Sequence, residues 1–160
     1  MSSPCATCTR QCCHHYTVTV TGYDAWVIAR GLGMAPEQFL VIVEQREPNE
    51  RGFLLDQSGS SFDIALDKAP ATQPEKPCLF WFGLPSGVGR CGIYALRPYV
   101  CQTYPAFLVK GAVTRREDVL CPTPAWRDGV LQEPRWRDRL LEMQVAVSYT
   151  HLTLPTNREV

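Results

Sequence analysis

Cys5, Cys8, Cys12 and Cys13 fall with His14 and His15 inside the short stretch CATCTRQCCHH, at the start of a chain of 160 residues. Thiols at this density serve few chemistries: a disulfide framework, a redox pair, a zinc site or an iron–sulfur cluster. The C-x2-C of Cys5 and Cys8 is the spacing at which two thiolates reach one ion across a tight turn while backbone N–H groups hydrogen-bond the sulfurs. Cys8 and Cys12 stand one helical turn apart, so a helix puts both on one face. Cys12 and Cys13 then diverge by about 100°, and the adjacent pair suits two environments, one thiol facing each. Cys78, Cys91, Cys101 and Cys121 bring the total to eight, enough for two four-thiolate sites or for one site with spares.

The rest of the composition decides among these chemistries. A chain of this length buries roughly 70% of its unfolded surface and needs no staples to fold. Met1-Ser2-Ser3-Pro4 leads into Cys5 without a basic or apolar leader, so no signal peptide is expected, and no apolar run approaches the roughly 20 residues of a membrane helix. A cytoplasmic location follows as the expectation, and there thiols are kept reduced. Eight cysteines then read as a ligand set rather than as disulfides. Sixteen basic residues balance sixteen acidic ones, so neither nucleic acid nor an anionic membrane is an expected partner. Arg115-Arg116 and Arg135, Arg137 and Arg139 read as solvated surface.

A four-thiolate zinc site carries a net charge of −2, and nearby cations offset it; Arg10, Arg90 and Arg97 are the candidates. Such a site would hold the N-terminal arm against the later cysteines, with structural zinc contributing on the order of 10 kcal/mol in small modules. His14 and His15 read as neighbours of the thiols rather than as ligands.

The elements that must position these residues alternate without a regular βαβ beat. YTVTVTGYD reads as a half-buried strand through Val18 and Val20. Asp24 is positioned to cap a helix over AWVIARGLG, which Gly31 and Gly33 end. Pro36 opens an apolar helix over EQFLVIVEQ; the two helices form a core-packing pair rather than a DNA-reading one. RGFLLD and SFDIALD predict a β-hairpin, and CLFWFG a short strand leading through the LPSGVG turn to Cys91. IYALRPYVCQTYP is a short helix that Pro98 permits only in a first turn. AFLVKGAVTR reads as one strand, and EPRWRDRLLEMQVA as a helix with Trp136, Leu140, Leu141 and Val145 at core spacing. The fold class expected is α+β, a small single domain of short helices and antiparallel sheet organised around a multi-cysteine metal site.

Val147 to Thr156 resemble a translated sequencing-library adapter. On that reading the cysteine-cluster domain spans 1–146 and is cut short at its C-terminus, 147–160 is an artefactual tail, and His151 is set aside as a ligand.

CATCTRQCC, then CLFW, RCGIYALRPYVCQTYP and LCP, resembles the YkgJ-type cysteine cluster family, a bacterial-type zinc- or iron-chelating domain. The matching positions are Cys5, Cys8, Cys12 and Cys13, then Cys78, Cys91, Ile93, Tyr94, Arg97, Pro98, Cys101 and Pro105, with Cys121 closing the set. The resemblance runs from about Pro4 to Pro122. Two departures stand out: Gln102 replaces an expected Arg, and one more residue separates Cys8 from Cys12. What the resemblance implies is metal chelation by the cysteines. It includes longer relatives that are flagellin lysine methylases, which look iron–sulfur-dependent.

Three functions follow. The first is a metal-binding protein whose metal ligands are Cys5, Cys8, Cys12, Cys13, Cys78, Cys91, Cys101 and Cys121, holding an iron–sulfur cluster of the 4Fe-4S type or zinc; soft thiolates select either. The bacterial ferredoxin run is absent, as is the second C-x2-C pair of a zinc ribbon, so a cluster held by scattered cysteines is favoured by elimination. The second is an iron–sulfur-dependent enzyme related to protein lysine methyltransferases. For it no catalytic residue is assignable: GLPSGVG reads as a turn, and Asp24, Asp56 and Asp63 follow strand or cap logic. The third is a thiol redox protein using Cys5 and Cys8 or the Cys12-Cys13 pair, which requires a low-pKa exposed thiolate.

Overall fold

The computed structural model describes residues 12–45, 52–54, 59–70, 76–117, 119–120, 131 and 133–153. Cys5, Cys8 and Cys121 of the candidate ligands lie outside the described residues, as do Arg10 and Asp56. The class is α+β, with few helices and antiparallel sheets.

The chain opens with α1 (Cys12–His15), a single turn, and α2 (Gly22–Leu32). Between them Val18–Val20 does not extend into a full strand but makes one antiparallel bridge, Thr19 to Ala65. The α2 cap is Thr21 rather than Asp24. The Thr21 Oγ1 accepts from the Asp24 N–H at 3.1 Å, and Asp24 Oδ2 accepts from the Thr21 N–H at 2.9 Å, so Asp24 supplies the second half of a capping box. Gly33, at φ 64°, closes α2 in the left-handed conformation. Ala25 and Ile28 face inward, while Trp26 stays 54% exposed.

The expected second helix is absent. Only Pro36–Gln38 turns, as a 3₁₀ segment, and Leu40–Glu44 is strand β1. Val41, Ile42 and Val43 explain the outcome: β-branched side chains are stiff at χ1 and favour the extended, half-buried surface. β1 pairs antiparallel with β3 (Ser61–Leu66), and β2 (Phe53–Leu54) pairs with the other edge of β3, so the sheet order is β1-β3-β2. The expected hairpin is therefore present as β2 and β3.

Two hairpins follow. β4 (Trp81–Gly83) pairs with β5 (Gly89–Cys91), with Trp81 opposite Cys91. After a 3₁₀ turn at Tyr94–Leu96 comes α3 (Tyr99–Thr103), with Pro98 just ahead of it as its sequence requires. AFLVKGAVTR is not one strand but β6 (Ala106–Val109) and β7 (Ala112–Arg115). Lys110 at φ 48° and Gly111 at φ 80° make the two-residue turn between them, since hairpin loops of this length require positive φ at the central positions. The last helix, α4 (Pro134–Thr153), lies against α2, α3, β6 and β7. Its Leu140 is 1% exposed, but Leu141 and Val145 face solvent. Among the described residues no helix is long and apolar enough to cross a membrane.

Two apolar clusters result. Val18, Ile28, Phe39, Leu66, Cys78 and Ile93 form the first, between α2 and the sheet. Ala106, Leu131 and Leu140 form the second, between α4 and the β6–β7 hairpin.

Asp24 links α2 to α3, because its Oδ1 accepts the Tyr99 N–H at 2.9 Å. Burial pushes its carboxyl above the ordinary 3.8, although hydrogen bonds from Thr21 and Tyr99 oppose the shift. The folded chain therefore holds this proton more tightly than the unfolded chain. The associated stability is full below about pH 3.8 and is lost as pH rises through the folded value. Stability of the wild type relative to Asp24→Asn is expected to fall with rising pH in denaturant titrations, and a flat difference would contradict this. Asp24→Ala is expected to cost about 3 kcal/mol, from one lost cap and one orphaned buried N–H.

Candidate metal centre

Cys13 ends up beside cysteines from three later elements because backbone hydrogen bonds fix where its helix docks. α1 is one turn long and cannot stand alone. Its Cys13 carbonyl accepts the Cys78 N–H at 2.8 Å. Cys78 is itself held by an antiparallel bridge to Lys68, just past the end of β3. Leu79 N–H donates to the Asp67 carbonyl at 2.9 Å, so the chain entering β4 is pinned on both sides of the cysteine. β5 then carries Cys91 to the position opposite Trp81, and Gly92 N–H donates back to the Phe80 carbonyl at 2.7 Å. α3 supplies Cys101 from the far side.

Cys13, Cys78, Cys91 and Cys101 all pack in the first apolar cluster. Cys12 turns the other way and packs with Tyr104, Trp136 and Met143 against the second. The adjacent pair thus divides between the two cores. No disulfide joins any of the five described cysteines. Among the described residues, no three His, Cys, Asp or Glu side chains converge on one point as an ion would require; the thiols are neighbours, short of a closed ligand set.

The electrostatics report the same neighbourhood. Burial pushes the Cys101 thiol well above its ordinary value; Cys13, Cys78 and Cys91 raise it further, and Arg97 opposes them. Burial also raises Cys78, where the Phe80 N–H and the Lys68 ammonium work against it. Cys91 is raised by burial and lowered by the Ile93 N–H and by Arg97. In both Cys78-Leu79-Phe80 and Cys91-Gly92-Ile93 the amide two residues on faces the cysteine, on a turn. N–H groups aimed at sulfur favour the thiolate form that a soft metal ion binds.

Of the cations expected near the thiols, Arg97 is in place. Its guanidinium lies over the Tyr94 ring at 3.7 Å, and its Nε donates to the Tyr94 carbonyl at 3.0 Å. Gln102, the residue that stands where Arg was expected, donates its side-chain amide to the Arg97 carbonyl and so braces that same residue. Arg90 turns instead to the Gly89 carbonyl. Lys68 is a cation that the sequence reading passed over. His15 is exposed, and His14 meets the Trp81 ring edge-on at a centroid distance of 4.2 Å. Thiols in an apolar shell, with amides facing two of them and two flanking cations, have the chemistry that suits a soft metal.

Residues 4–122 match the family model described as "CxxCxxCC: Putative zinc- or iron-chelating domain". The chain belongs to that family. No curated protein matches it, and no solved structure does. The CxxCxxCC match takes in all eight cysteines, including the three outside the described residues. Its description supports a metal as cofactor and partner and leaves the metal as zinc or iron.

Trp81 marks the edge of the centre in this CxxCxxCC chain. Its indole lies over Gly83 and Gly89, its Nε1–H is buried without a hydrogen-bond partner among the described residues, and a Cβ at Gly89 would collide with that nitrogen. Gly89→Ala is therefore expected to displace the indole and cost about 1–3 kcal/mol by overpacking. Thermal denaturation with tryptophan emission checks this; an unchanged midpoint and spectrum would show that the glycine is not required there.

Proposed function

We propose that this chain holds an iron–sulfur cluster, or zinc, on cysteine thiolates, with Cys13, Cys78, Cys91 and Cys101 as one ligand set. The observation that carries the reading is the packing of these four thiols, from four separate segments of the chain, into one apolar cluster flanked by Lys68 and Arg97. Cys12 faces the neighbouring cluster. With Cys5, Cys8 and Cys121, which join it on their sequence spacing alone, it is the starting point of a second set. The binding domain is 1–146 on this reading, and a reducing compartment such as the cytoplasm suits its thiols.

Four thiolates around iron and sulfide supply one-electron chemistry, and four around zinc supply a structural clamp. The chain's own residues do the rest. The Phe80 and Ile93 amides and the two cations stabilise negative sulfur, and the apolar shell from Val18, Ile28 and Phe39 limits water. Burial shifts the Cys78, Cys91 and Cys101 thiols upward, so these three do not serve as attacking thiolates, which need a lowered pKa. No observation favours a methyltransferase site.

Anaerobically purified protein is expected to contain iron with acid-labile sulfide, or zinc, at one or two sites per chain. Elemental analysis with a visible absorption spectrum decides between them, and folded, colourless, metal-free protein would sink the proposal. Cys91→Ser and Cys101→Ser are each expected to lower metal content at least as much as Cys5→Ser. Full retention in both downstream variants would mean that the N-terminal group works alone.

A further inference from the structure

We infer that Lys68 is the positioning and countercharge residue of the thiol centre, clasping α1 against Cys78 and offsetting the negative charge that metal-bound thiolates bring. The inference rests on the chelation reading above.

Lys68 is half-buried and sits across the antiparallel bridge from Cys78. Its Nζ donates to the Tyr16 carbonyl at 2.6 Å and reaches the Cys13 carbonyl at 3.4 Å. Both carbonyls lie at the C-terminal end of α1, where a helix leaves oxygens without intrahelical donors and where a cation is favoured. The Cys13 carbonyl thereby receives two donors, the Lys68 ammonium and the Cys78 N–H. Either group alone would tether the turn; together they fix which side of α1 meets Cys78.

The charge balance is the second observation. The ion pairs among the described residues are Arg135 with Glu133 and Arg139 with Glu142, both remote from this position. The carboxylate next to Lys68, that of Asp67, accepts the Lys68 backbone N–H at 2.7 Å. The ammonium itself is held by the Tyr16 and Cys13 carbonyls, with the Cys78 thiol beside it. Thiols that bind a metal give up their protons, so metal loading would bring negative charge beside Lys68 at Cys78. Arg97 stands in the equivalent relation to Cys91 and Cys101.

Cobalt(II) titration of the full chain against a competing chelator, followed by sulfur-to-cobalt absorption, tests the assignment. Lys68→Met removes both the clasp and the charge, Lys68→Gln keeps a donor and removes the charge, and Lys68→Arg keeps both. Each variant is checked for fold by circular dichroism. The two neutral variants are expected to bind cobalt roughly 10- to 100-fold more weakly than wild type, and Lys68→Arg to stay within a few-fold. Wild-type affinity in folded Lys68→Gln, or a loss in Lys68→Arg as large as in Lys68→Met, would overturn the inference. Should Lys68→Met fail to fold, the Gln and Arg variants carry the comparison. Wild-type chain that takes up neither cobalt nor iron with sulfide would overturn the chelation reading and this inference together. Normal wild-type uptake with unaffected neutral variants would overturn this inference alone.

Discussion

The docking of α1 into the thiol centre depends on one carbonyl oxygen. The Cys13 carbonyl accepts the Cys78 N–H at 2.8 Å and is approached by the Lys68 ammonium, and these contacts join a four-residue helix to a segment more than sixty positions later. A single turn of helix has no stability of its own, so its orientation is borrowed from the strand it docks on. Once Cys13 is pinned, Cys12 is aimed by helical geometry into the second cluster. The bridge from Lys68 to Cys78 sets the start of the β4–β5 hairpin, which delivers Cys91. α3 is fixed independently by the Asp24 carboxylate on the Tyr99 N–H, and it brings Cys101 in from the other side.

The chemistry of the centre is a contest between burial and charge. Packing thiols among Val18, Ile28 and Phe39 raises their pKa and favours the neutral form, and clustering three neighbours around Cys101 raises it further. Opposing this are the Phe80 amide and the Lys68 ammonium at Cys78, the Ile93 amide at Cys91, and Arg97 at Cys91 and Cys101. A protein that needed a reactive thiolate would tip this balance with exposure and a stronger cation. For Cys78, Cys91 and Cys101 burial outweighs the opposing groups, and on the proposed reading a bound metal takes the place of their protons.

Much of the centre was legible in the sequence, and the illegible parts have physical reasons. The division of Cys12 from Cys13 and the nearness of Arg97 to Cys91 and Cys101 follow from spacing and helical geometry, which act within a few residues. β1 was misread as a helix because a short apolar run does not distinguish helix from strand by periodicity; the three β-branched residues at 41–43 were the signal that decides it. The β6–β7 turn was carried by Lys110-Gly111, a pair that lacks the usual Asn or Asp before glycine. The α2 cap moved from Asp24 to Thr21 because Asp24 serves two helices at once, a demand invisible from one segment. Lys68 was passed over for a similar reason, since its partners, the Cys13 and Tyr16 carbonyls, lie some fifty residues away. Leu141 and Val145 have core spacing, yet α4 buries only a narrow stripe centred on Leu140.

The central claim is that Cys13, Cys78, Cys91 and Cys101 act as one ligand set. Differential alkylation of metal-loaded and chelator-treated protein, with each cysteine located by mass spectrometry, tests it most directly. The account predicts that these four thiols are protected together in the loaded chain and become reactive together when the metal is removed. Stoichiometric alkylation of Cys78, Cys91 and Cys101 while the metal stays bound would contradict it.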